Sequence, residues 1–196
     1  QEPPPLPATP IIPDRPLRIG AHRTVWGASL ELRRARAAEN AARPEISVEG
    51  YIGWTNLEDA PRCAVHPPGQ PDPPDCRSEV PTFWLCDGPA APREDCIRVM
   101  GWASSFAQIW GAMEQYGKPD SEPYRDQYWG HEIPRPIPYR GGRVVVTGSY
   151  GVTFTGAIYG VVADPVMGIL TSHRLEWREA SPPPGTPLGV GSGGGP

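Results

Sequence analysis

The chain has 196 residues, 28 of them proline and 23 glycine, with 18 basic against 22 acidic side chains and a net charge of −4. That length suits one domain of about 100–150 residues plus tails. The acidic balance disfavours nucleic acid as a partner, because such binding draws on Lys and Arg at the phosphates. No segment reaches the roughly 18–20 apolar residues of a membrane span; the best, 156–170, is broken by Asp164 and Pro165, so no transmembrane segment is expected.

Residues 1–28 read as a Pro-rich N-terminal arm, with seven prolines before residue 20. Such composition cannot bury enough apolar surface to offset the entropy of ordering. The opening residue is Gln1, which leads us to expect that a secretory leader was removed. Residues 29–44 form an expected surface helix, with Ser29 as N-cap, an alanine-rich apolar face and Pro44 as its stop.

From 45 to 179 the patterns change to those of a single β domain. Ile46, Val48, Ile52 and Trp54 alternate with Ser47, Glu49 and Tyr51, the period-two signature of a strand with one buried face. The 57–80 stretch, with six prolines, reads as a long loop. Two short strands follow, 81–86 and 96–102, as a hairpin with an enlarged turn. If Phe83, Leu85, Ile97 and Val99 face the core, then Trp84, Cys86, Cys96, Arg98, Met100 and Trp102 share the opposite face.

Phe106, Ile109, Trp110 and Met113 then recur at helical spacing, predicting an amphipathic helix over 103–116 that Gly117 and Pro119 end. A second long loop, 118–141, carries Tyr124, Tyr128, Trp129 and Tyr139; rings in so polar a segment are expected to lie against the domain or a partner. Segments 143–150 and 168–178 supply the last two strands, joined by a glycine-rich connection. Residues 180–196 are a Pro/Gly/Ser-rich tail.

The four cysteines, Cys63, Cys76, Cys86 and Cys96, are an even set within 34 residues, as expected of an oxidising compartment. Strand parity favours Cys86–Cys96, which leaves Cys63–Cys76, among the three connectivities that four cysteines allow. The spacing Cys63-x-x-His66 admits a zinc reading, but the later cysteines stand ten apart, so no metal and no cofactor are expected. The nearly lysine-free, arginine-rich composition points to a GC-rich bacterial genome, and the protein is expected to be periplasmic or extracellular. None of the hydrolase, metalloprotease, P-loop or dinucleotide motifs occurs, and no catalytic residue is assigned.

The element order strand, two strands, helix, two strands resembles that of exported bacterial OB-fold proteins. The resemblance implies a mainly β fold: a five-stranded OB-type barrel with one helix between strands 3 and 4, plus the N-terminal helix and Pro-rich tails. OB-type barrels bind ligands over strands 2 and 3, which implies Trp84, Arg98, Met100 and Trp102 as candidate ligand-binding residues. Composition supports a first reading: a non-enzymatic structural or accessory subunit of an exported or envelope-associated protein assembly. In it, Tyr124, Tyr128, Trp129 and Tyr139 are the candidate partner contacts. The alternative is an OB-type binding module for an oligosaccharide, peptide or single-stranded nucleic acid.

Overall fold

The computed structural model describes residues 14–37, 44–58, 60, 62–76, 79–157 and 160–178. Among these the fold is mainly β with two α-helices. The elements are β1 (Arg18–Ile19), β2 (His22–Arg23), α1 (Val25–Ala37), β3 (Glu45–Thr55), β4 (Phe83–Cys86), β5 (Ile97–Met100), α2 (Phe106–Tyr116), β6 (Arg143–Gly151), β7 (Thr153–Ala157), β8 (Gly160–Ala163) and β9 (Ile169–Trp177).

The long β3 is the hub. It pairs antiparallel with β6 from Glu45↔Ser149 to Tyr51↔Arg143, and with β4 from Tyr51↔Cys86 to Thr55↔Phe83. β4 continues antiparallel to β5, β5 runs parallel to β9, and β9 returns antiparallel to β6. Five strands thus pair in a ring, β3–β4–β5–β9–β6, and β7 and β8 form a separate hairpin. The expected parity holds within the short strands, because Phe83, Leu85, Ile97 and Val99 are all fully buried in the main core. Phe106, Ile109 and Ala112 bring α2 to the same cluster, with Trp110 and Met113 packed half-buried at its margin.

Parity fails where the backbone leaves regular extension. Between Ile52 and Trp54 the β3–β4 register shifts, so Trp54 joins Trp84, Cys86 and Cys96 rather than the core that holds Ile52. At Gly101 φ is +84°, a conformation that a side chain resists, and the chain turns out of β5 there. Trp102 therefore lands in the main core against Phe83, with ring centroids 6.0 Å apart, instead of sharing a face with Trp84.

The N-terminal part differs most from expectation. α1 begins at Val25, four residues before Ser29, which is a fully buried helix residue donating to Trp26 O at 2.9 Å rather than an N-cap. The cap is supplied otherwise: Gly27 N donates to Thr24 Oγ1 at 2.9 Å, while the two carboxylate oxygens of distant Asp87 accept from Val25 N at 2.7 Å and Trp26 N at 2.9 Å. Those bonds satisfy the amide groups that a helix start leaves unpaired. α1 ends at Ala37, and the expected continuation over 38–43 lies outside the described residues, as do the 1–13 and 179–196 ends. Residues 18–23, expected in the arm, form β1 and β2, with Arg23 paired parallel to Val48 of β3.

The two long connections have no long regular element, as expected. Both disulfides are the favoured ones, Cys63–Cys76 within the 57–80 loop and Cys86–Cys96 across the β4–β5 turn. No helix among the described residues is long and apolar enough to cross a membrane.

Candidate functional site

The 118–141 connection is a strap held against the body by polar side chains. Asp126, almost wholly buried, accepts four hydrogen bonds: from Ser104 N and Ser104 Oγ, both at 2.8 Å, from Tyr128 N at 2.9 Å and from Trp129 N at 3.1 Å. Gly130 N closes the turn onto Asp126 O at 2.8 Å. On α2, Gln108 Oε1 accepts from Gln127 N at 2.8 Å and from Tyr124 Oη at 3.2 Å. Tyr116 Oη donates to Ile133 O at 2.6 Å and accepts from Tyr124 N at 3.0 Å. Burial raises both phenols above their ordinary value, so each remains a neutral hydrogen-bonding group.

This anchoring decides the fate of the strap's rings. Tyr139 stacks on Trp177 at 4.8 Å, Trp129 packs edge-on against Phe154 of β7 at 6.2 Å, and Tyr124 is fixed to α2. Of the four, Tyr128 stands out, 67% exposed.

The residues expected to make a stacking face over strands 2 and 3 are separated and mostly covered. Trp84 is 3% exposed in a small cluster with Cys86 and Cys96, and Arg93 lies 3.8 Å over its ring. Met100 packs with Val80, Phe154 and Ile169, and Trp102 is in the core. Arg98 remains partly accessible, but its Nε lies 3.2 Å from Asp164 Oδ2, an ion pair that ties the connection after β8 to β5. Even numbering along two strands does not make a binding face when a loop and a hairpin fold over it.

Accessible clefts lie beside that face. One of about 560 Å³ runs between β9 and the strap, lined by Trp102, Tyr116, Ile133 and Leu175 and rimmed by Arg125, Arg135 and Arg174. A second, of about 420 Å³, adjoins it through His131, Ser172 and His173 and is closed by Trp129, Phe154 and Thr155. His131 Nε2 lies 3.1 Å from Trp102 O, an acceptor only, so that nitrogen carries the hydrogen. The third, of about 350 Å³, lies at the start of α2 beneath the 57–80 loop. There His66 is held between Pro67 O, 3.0 Å from Nδ1, and Asp72 Oδ1, 2.8 Å from Nε2. The Pro67 carbonyl, and after it the Asp72 carboxylate, raise its pKa above 6.5.

The clefts offer binding chemistry: guanidinium and imidazole donors over an aromatic floor. Among the described residues no group of three His, Cys, Asp or Glu side chains could hold a metal ion. Sequence reading missed the strap's arginines and the β7–β8 hairpin. The first had a usable signal in Asp126 and Gly130 punctuating a turn between Arg125 and Glu132, which form an isolated bridge; the hairpin's was masked by its glycines.

Compared with known proteins, the chain matches no family model, no curated protein and no solved structure.

Proposed function

We propose that this protein is a non-enzymatic accessory subunit of an exported, envelope-associated assembly, built on an OB-type barrel. The pairing order of the ring supports the barrel: strands one to three antiparallel in sequence, the third parallel to the fifth, and the fifth antiparallel to the fourth. The helix between the third and fourth strands agrees with it. Two disulfides accord with export.

The observation that carries the assembly role is the β7–β8 hairpin. Among the described residues β8 pairs with β7 alone, and Val161 on β8 and Val166 just beyond it are 65% and 62% exposed. An open strand edge with exposed valines is a liability in a free monomer and a contact site in an assembly. Photo-crosslinkers at Val161 and Val166, with exposed Glu114 on α2 as control, test this in the native envelope. The expected result is a recurrent protein neighbour at the two hairpin positions and not at Glu114; a lone monomer without such crosslinks overturns the role.

A binding-module reading is favoured by a separate observation, the basic cleft between β9 and the strap. It shares only Trp102 with the ligand-binding face expected from sequence, and peptide, oligosaccharide and single-stranded nucleic acid are its candidate ligands.

A further inference from the structure

β5 and β9 run together for three register pairs, Arg98↔Ile169, Val99↔Leu170 and Met100↔Thr171, and then part. β5 turns away at Gly101, while β9 continues to Trp177 paired with β6 on its other side. Among the described residues, 172–177 therefore have no strand along the β5 side of β9. The cleft of about 560 Å³ lies there, between Ser172–Leu175 and the strap.

We propose that this open stretch of β9 binds an extended peptide of alternating apolar and acidic residues by strand addition. Main-chain hydrogen bonds to an unpaired edge supply affinity, and side chains of opposite parity fall into separate environments. Here the two environments differ. The floor is apolar, formed by Trp102, Tyr116, Ile133 and Leu175, while Arg125, Arg135 and Arg174 stand on the rim. Within the lining three guanidiniums face one carboxylate, Glu132, although the whole chain carries a net charge of −4. Arg125 and Arg174 are 71% and 68% exposed at the side chain; Arg125 also donates to Gly130 O at 2.8 Å, while its 3.8 Å contact with Glu132 and that of Arg174 with Glu176 are solvent-screened and open to replacement by an incoming carboxylate.

An oligosaccharide or a single nucleic-acid strand has no use for a strand edge. The latter also needs successive stacking platforms, whereas Trp102 in the floor is only 2% exposed. The strand edge thus selects peptide among the ligands of the binding-module reading, on which this inference rests.

The test uses the whole chain and an acetylated, fluorescein-labelled peptide with Glu and Val in alternation, read by anisotropy and by backbone amide shifts. Expected are shifts confined to 172–176 and the facing strap, weaker binding at higher salt, and a loss of about tenfold or more for Arg135→Glu/Arg174→Glu. Arg34→Glu, a charge reversal on the exposed face of α1, should leave binding unchanged. Methylating alternate peptide amides on the bonding edge should abolish binding, and methylating the other set should not. Binding that ignores both methylation patterns, or shifts that lie elsewhere, overturns strand addition. If a galacturonate oligomer or oligo-dT binds the cleft and the peptide does not, the peptide inference falls while the binding-module reading stands; if none binds, both fall.

Discussion

Asp126 shows what one carboxylate can organise. Its four donors come from the turn before α2 and from the strap, so it decides both where Trp129 packs and how wide the cleft beside β9 opens. Asp126→Ala strands several buried donors and is expected to cost about 2–4 kcal/mol in denaturant unfolding, with a larger rise in Trp129 fluorescence quenching than in that of the other tryptophans. An unchanged midpoint would contradict this role.

His66 makes a pH-dependent contribution at the same scale. Its imidazolium satisfies a carbonyl and a carboxylate at once, which raises its folded-state pKa above 6.5. The stabilisation is fully present below pH 6.5 and lost as pH climbs through the raised value. Amide exchange in the 63–76 loop should therefore accelerate, beyond its intrinsic base dependence, as pH rises above 6.5, and His66→Ala should remove the excess. A titration of the His66 ring below 6.5 would refute the assignment.

At the scale of elements, α1 starts where tertiary structure provides a cap. Local sequence offers Ser29, a sound N-cap residue before an alanine-rich run, but the helix gains a full turn because Asp87 reaches Val25 N and Trp26 N from the β4–β5 turn. Asp87→Ala is expected to destabilise by about 1–2 kcal/mol and to speed exchange at Val25 and Trp26. Ser29→Ala, which removes one bond within the helix, should cost less. The opposite ranking in thermal melts would return the cap to Ser29. The close approach that accompanies this start is strict: a Cβ on Gly27 would sit 2.1 Å from Leu17 O.

Over the whole molecule, ring closure removes the edges of the central strands, and two of the edges left among the described residues, on β8 and along the far part of β9, differ in chemistry. The first carries exposed valines and the second is rimmed by arginines. The crosslinking and peptide measurements address the two independently.

Strict periodicity sufficed for β3 and α2, and short apolar runs between turn residues for the other ring strands, because either pattern reports side chains that must be buried wherever the partner lies. The cysteine pairing was legible for the same local reason: β4 and β5 are neighbours in a hairpin, so parity brings Cys86 and Cys96 together across its enlarged turn. What lay beyond the sequence depends on contacts between residues far apart in the chain. Asp87 capping α1 spans 62 residues, and the cover over Trp84 and Met100 comes from a turn and a hairpin whose positions no local pattern records. The cleft beside β9 exists because β5 turns away at Gly101 while the strap, pinned by Asp126 and Gln108, does not close the gap. Local pattern determined which side chains must leave water; only tertiary packing decided which surface was left to meet a partner, since exposure is set by whatever folds over a face rather than by the face itself.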